Sequence, residues 1–335
     1  MKKNRAMRAA GGLLIATLLS TSAVSGTFAK YVSKGSAGDT ARVAKWGVVI
    51  TGSGNLFSKN YLNGTTNTPT TSTTANAISV ESSNTDMLVA PGTKSDTTGL
   101  SFGITGKPEV DTRVKATIEA KDVYLAAGTY AVMKKVAVNS DTFTGKVTSG
   151  IYTKSGTAYT KVASTAAFDS SATYYEIDTD TDAVVATGGY YPVVFTYTGD
   201  GSAHTANAVA AAVAAALNGG TAVTGTTASG TTTYTLSKNY DSNTDLGTAL
   251  ATDDEKITWE WIYNNEIDTT WDNVDFEDTI LGDLAAGTEV VSVGDGGAVT
   301  VLSVDGTTGV VTSGSTEVGC IRTTFNVSIE AVQID

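Results

Sequence analysis

Three groups of side chains in this 335-residue chain have types and spacing that could support chemistry. Asp178, Asp180 and Asp182 place alternate carboxylates on one tight turn, as at the start of a loop that holds a hard cation such as calcium. Ala183 stands where that loop needs glycine and Gly189 where a bidentate acid would close the shell, so the stretch reads as a solvated hairpin turn. Asp268, Asp272, Asp275, Glu277, Asp278 and Asp283 form the densest acidic run, beside Trp259, Trp261, Tyr263 and Trp271. Together they could stack a sugar next to paired carboxylates, but a glycosidase needs two acids at a set separation across a cleft, which spacing along a chain does not supply. Tryptophans that alternate with polar residues on a strand read more simply as core or interface anchors.

The third group is defined by scarcity. His204 is the one histidine and Cys320 the one cysteine, which leaves no two-histidine zinc helix, no Cys/His cluster, no Ser-His-Asp set and no Gly-x-x-x-x-Gly-Lys phosphate loop. Carboxylate-only chemistry stays formally open. His204 reads as a solvated residue near a helix start, and Cys320, in the short apolar run Glu317 to Ile321, as a small buried side chain. No intrachain disulfide can form. No catalytic residue, metal ligand or cofactor-binding residue is therefore assigned, and no cofactor is expected.

The first 29 residues carry Lys2, Lys3, Arg5 and Arg8, then an apolar run from Leu13 to Leu19, then small residues at Thr27 and Ala29. That is the order of a secretory leader, with cleavage expected between Ala29 and Lys30. The apolar run is interrupted by Thr17, Ser20, Thr21 and Ser22 and falls short of the roughly 20 residues a spanning helix needs. Removing the leader takes four of the 22 basic residues and none of the 34 acidic ones, leaving 18 against 34 and a formal charge of −16. Such a chain repels nucleic acid and anionic lipid, so the expected partners are protein, cations or cell-wall polymer, in a secreted or cell-surface setting.

Threonine, serine, glycine and valine dominate the remainder, and apolar residues alternate with polar ones at a period of two. The pattern predicts half-buried antiparallel strands at Val110 to Ala120, Ile257 to Tyr263 and Thr323 to Ile334. Residues 51–79 and 219–232 read as long loops. The alanine-rich stretch from Thr205 to Gly219 predicts one short helix, capped by Asn218 and Gly219, that lays Val209, Val213 and Leu217 on a sheet. The expected division is a core of 30–120 with 251–335, interrupted by a β-rich module at 121–250.

Three stretches resemble the TasA/camelysin family of Gram-positive secreted proteins. They are Gly26-Thr-Phe-Ala-Lys-Tyr-Val-Ser with Ala41-Arg-Val-Ala-Lys-Trp-Gly-Val48, then Leu88-Val-Ala-Pro-Gly-Thr93 with Phe102-Gly-Ile and the strand after it, and the closing Glu330-Ala-Val-Gln-Ile334. The 121–250 block is not matched. The resemblance implies an all-β, jelly-roll-like antiparallel β-sandwich that assembles with copies of itself into a pilus-like filament of the extracellular matrix or biofilm. It also implies donor-strand complementation, in which the freed N-terminal segment of one subunit completes the sheet of its neighbour. Some relatives are described as metallopeptidases; this chain lacks the histidines for that, and the activity is not carried over.

The residues supply a physical reason for such assembly. Ala44, Trp46, Val48 and Ile50 alternate with Val43, Lys45, Gly47 and Val49, so a strand here is apolar on both sides and needs covering on both faces. It is either the first strand of its own domain or, as segment 30–51, an assembly strand given to another copy. The competing reading of the whole chain is a monomeric glycan- or cell-wall-binding module that uses exposed aromatics near 259–271.

Overall fold

The computed structural model describes residues 44–53, 56–57, 62–63, 89–95, 99–179, 183–185, 187–201, 203–250, 255–261 and 272–334. The strand Thr112–Lys121 reads TRVKATIEAK, and its alternation becomes two different surroundings. Val114, Ala116, Ile118 and Ala120 are buried, while Arg113, Lys115, Thr117 and Glu119 point the other way. Burial of each Val or Ile in such a face contributes about 1.5–3 kcal/mol. Long antiparallel ladders flank this strand: Thr231–Tyr240 on one side, from Thr112↔Tyr240 to Ala120↔Thr232, and Thr324–Gln333 on the other, from Thr112↔Gln333 to Lys121↔Thr324. With the hairpin strand Gly225–Ala228 they complete a four-stranded sheet.

A seven-stranded sheet covers part of that apolar face. Its main path runs Val49–Ser53, Leu100–Thr105, Glu255–Trp261, Val193–Tyr197, Ala203–His204, and Leu62–Asn63 with Thr93–Lys94 adds to Glu255–Trp261. Phe102, Phe195, Ile257 and Trp259 are buried in the common core, and Phe195 stacks on Phe325 of the opposite sheet with centroids 5.8 Å apart. The molecule is thus an antiparallel β-sandwich, as the period-two pattern predicts.

The helix Ala206–Leu217 packs on the same core, with Val209, Val213 and Leu217 all buried. It ends at Asn218 and at Gly219, whose positive φ of 66° lets the chain turn back. Its start is held twice. Thr205 accepts a hydrogen bond from the Ala208 N–H, and the buried Asp122 carboxylate accepts from the N–H groups of Ala206 at 2.6 Å and Asn207 at 3.3 Å. A carboxylate at a helix N-terminus satisfies orphan donors and opposes the helix dipole, which ties this helix to the end of the central strand.

A third, ten-stranded antiparallel sheet is built from Tyr124–Leu125, Gly128–Val136, the short strands from Tyr152 to Val185, and the meander Val290–Val293, Val299–Val304, Val310–Ser313 and Thr316–Cys320. Sheet membership therefore does not follow the interval 121–250. The stretch 124–185 pairs with 290–320, whereas 193–240 supplies strands to both sandwich sheets. Pairing partners are chosen by register and burial in three dimensions, which a linear division of the sequence does not encode.

Two other expectations need correction. Residues 219–232 do not form a long loop: Gly225–Ala228 pairs with Thr231–Tyr240 through a tight turn at Ser229 and Gly230, both at positive φ. Besides the alanine-rich helix, three more α-helices occur among the described residues, at Ser140–Ser149, Leu246–Leu250 and Asp272–Ala286.

The Asp122 carboxylate gives a direct test. Replacing Asp122 with Ala strands the N–H of Ala206, and the free energy of unfolding in urea is expected to drop by about 1–3 kcal/mol. Loss of the Thr205 cap by Thr205→Ala should cost only about 1 kcal/mol.

Candidate functional site

The candidate site is the side of the sandwich away from the alanine-rich helix, where the two sandwich sheets end. Val49–Ser53 pairs antiparallel with Leu100–Thr105, from Val49↔Thr105 to Ser53↔Ser101, and is the edge of its sheet. Thr324–Gln333 is the edge of the other sheet. Between them runs a groove of about 290 Å³, lined by Ile50, Leu100 and Phe102 from one sheet and Val327 and Ile329 from the other. Val49 is 54 % exposed and Ile50 42 % exposed. Side chains at successive strand positions point to opposite faces, so neither face of this strand is fully covered within one chain.

Glycines decide where that strand begins. Gly47 has φ +58° and Gly106 φ +122°, and a Cβ on Gly106 would lie 2.1 Å from the Gly47 carbonyl oxygen. Two backbones meet there at a distance that only glycine permits. Upstream, Lys45 and Glu109 are tied by the Glu109 N–H to the Lys45 carbonyl and by the Lys45 N–H to the Glu109 carboxylate, each 2.9 Å. The strand therefore starts at Val49, later than the alternation from Ala44 predicts.

The proposed assembly residues fall on both sides of this boundary. Ile50 lies on the strand and lines the groove; Ala44, Trp46 and Val48 precede it, half-buried and without regular structure, and Val48 packs with Ile104, Val114 and Tyr240. Val43, Ala29 and Lys30 lie outside the described residues. In the single chain, Val49–Ser53 occupies the first-strand position of its own body.

The aromatic and acidic cluster forms a different kind of site from the one its composition suggests. Trp259 is buried, stacks near Phe57 at 5.8 Å and donates its indole N–H to the Leu56 carbonyl at 2.7 Å. Trp261 is buried as well and donates to Asp278, whose same oxygen accepts from the Tyr190 hydroxyl at 2.7 Å. Neither ring offers a platform for a sugar, because both stand on the sheet face that is packed into the core, 2 % and 5 % exposed. Tyr263, Asp268 and Trp271 are outside the described residues, as are Asp180 and Asp182 of the acidic turn. Asp178 accepts from the Lys134 ammonium at 2.9 Å.

Glu277 and Asp278 are consecutive on the helix Asp272–Ala286, so they do not face one another across a gap. Burial, assisted by the adjacent Asp278 charge, pushes the Glu277 carboxyl up to about 7. Sequence reading missed this helix. Among its described side chains Glu277, Ile280, Leu281 and Leu284 are buried, an i, i+3, i+4, i+7 stripe that the acids of this stretch of sequence obscured.

His204 stands just before the alanine-rich helix, half-buried, with its ring nitrogen 2.9 Å from the Asp200 carboxylate. Cys320 is buried, as its apolar setting predicts, with its thiol near the carbonyl of Arg322 at 3.3 Å. Among the described residues no three His, Cys, Asp or Glu side chains gather where they could hold a metal ion, and no helix is long and apolar enough to cross a membrane. No family model, curated protein or solved structure matches the chain.

Glu277 predicts a pH dependence with a definite sign. Its carboxyl binds a proton more tightly in the folded state than in the unfolded chain, where the ordinary value is 4.5, so its contribution is complete below that value and is lost as pH rises through about 7. The urea midpoint should fall between about pH 5 and about pH 8, and Glu277→Gln should flatten that part of the profile. At the edge, Gly106→Ala is expected to weaken the docking of residues 47–53 by at least about 1 kcal/mol, read as faster amide hydrogen exchange at Val49 to Ser53 than in the parent.

Proposed function

We propose that this chain is exported, trimmed after Ala29, and serves as a structural subunit of an extracellular surface or matrix fibre, in keeping with its resemblance to the TasA/camelysin proteins. Assembly proceeds by exchange: the Val49–Ser53 strand that lies on Leu100–Thr105 of its own body takes the same place on a neighbouring copy. The observation that carries this reading is the half-covered edge strand, with Val49 and Ile50 exposed on opposite faces beside an apolar groove. An exchanged strand keeps every hydrogen bond it had, so little is lost in the exchange and new contacts between bodies are gained. Five paired positions are few enough to open without unfolding the sandwich.

Trimming acts as the switch, because an N-terminus still attached to a membrane-engaged leader cannot reach a second body. The formal charge of −16 after removal of the four leader cations, set against 34 acids, keeps subunits apart at low salt, so assembly should strengthen as salt screens that repulsion. The competing glycan-platform reading loses support, since Trp259 and Trp261 are both buried.

Electron microscopy and size exclusion of the chain starting at Lys30, compared with a chain starting at Gly52, test the proposal. Filaments or concentration-dependent multimers are expected from the first and monomers from the second. Ile50→Lys should raise the concentration needed for assembly about tenfold or more, since the half-exposed isoleucine that the joint would cover is replaced by a charge. A mature chain that remains monomeric at all concentrations, with the same hydrodynamic behaviour after deletion of 30–51, would refute the proposal.

A further inference from the structure

A second opening lies at the seam between the sandwich and the ten-stranded sheet, away from the edge strand, and nothing in the fibre reading uses it. It is a cavity of about 690 Å³, within the size range of small-molecule sites. Phe57 and Ile321 give it apolar walls, Thr307 and Thr308 add hydroxyls, and Lys121 and Arg322 bring two positive charges into a chain of formal charge −12.

Lys121 is the informative residue. It closes the central strand, is only 5 % exposed, and among the described residues its ammonium makes one hydrogen bond, 2.8 Å to the Thr308 carbonyl. An ammonium carries three donors, and here two of them have no hydrogen-bond partner among the described residues; the Asp305 charge is close enough to act on Lys121 but accepts no hydrogen bond from it. The acids of the surrounding segments direct their hydrogen bonds to other donors while keeping their charge. Asp122 accepts from the helix N–H groups, Asp305 accepts from the N–H groups of Thr307 at 2.9 Å and Thr308 at 2.7 Å, and Glu317 accepts from the Tyr124 hydroxyl at 2.6 Å. Arg322 spends one N–H on the Gly306 carbonyl at 3.0 Å, and its planar fork has further donors.

From this we infer that the seam cavity is a binding site for a small organic anion, a carboxylate or a phosphomonoester on an apolar body. Its head would sit between Lys121 and Arg322 and its body against Phe57 and Ile321. The wall residues come from both parts of the molecule, so occupancy would also fasten the sandwich to the ten-stranded sheet.

The test is calorimetric and NMR titration of the mature chain with hexanoate and with hexyl phosphate, each run against hexanol as the uncharged control. Saturable binding by either anion but not by hexanol is expected, and the tighter of the two identifies the head group. Arg322 is at the surface, so Arg322→Gln should leave the fold intact while weakening binding about tenfold, the value of one charge-assisted contact. Lys121→Met should weaken it at least as much. If neither anion saturates, if hexanol binds equally well, or if Arg322→Gln leaves the affinity unchanged, the inference is wrong, and the fibre reading is untouched.

Discussion

Burial of one face of Thr112–Lys121 is the constraint on which the rest of the molecule hangs. Val114, Ala116, Ile118 and Ala120 must be covered, and alternate small and branched residues leave room for two kinds of cover at once. The alanine-rich helix lies over one part and the seven-stranded sheet over the other, joined through the Phe195–Phe325 stack. Where the strand ends, Lys121 and Asp122 turn that geometry into polar chemistry: one charge faces the seam cavity, the other holds the helix start. Tyr124–Leu125 then enters the third sheet beside Thr316–Cys320, so a single run of about a dozen residues touches all three layers.

The two sides of the sandwich are finished differently. On one, a helix with its own caps and a buried stripe closes the core. On the other, two edge strands stand across an apolar groove with Val49 and Ile50 exposed. Natural edges are usually blunted by charge, proline or a bulge; at this one the residues Val49 to Ser53 carry none of the first two. Under the proposed exchange, such an edge is where the same segment of another copy would pair.

Much of this was legible in the residues. The strands at 112–121, 255–261 and 324–333 follow directly from period-two alternation, and the helix at 206–217 from alanine content and its Asn-Gly stop. The hairpin at 225–240 was hidden because its threonines and glycines carry almost no apolar signal; what makes it a hairpin is a turn at Ser229 and Gly230 plus a ready ladder on Thr112–Lys121. Ser140–Ser149 was hidden for a similar reason. Phe143 is its one buried residue, and its stability leans on the capping box that Asn139 makes with Thr142. Trp259 and Trp261 are the core anchors that their alternation on a strand suggests, and the competing exposed reading fails because the face that carries them is covered. Which strand lies beside which depends on contacts far apart in sequence, and that is why the third sheet could not be read from local pattern.

The claim that one strand serves two bodies is best tested by trapping its partner. Ser53 and Ser101 are opposite one another in the register, and Cys320 is buried, so cysteines introduced at the two serines can bridge with little competition. Oxidised while assembled and then run on a denaturing gel, the double variant Ser53→Cys with Ser101→Cys should give a ladder of covalently joined chains. A single band at monomer mobility, with the bridge closed inside each chain, would contradict the account.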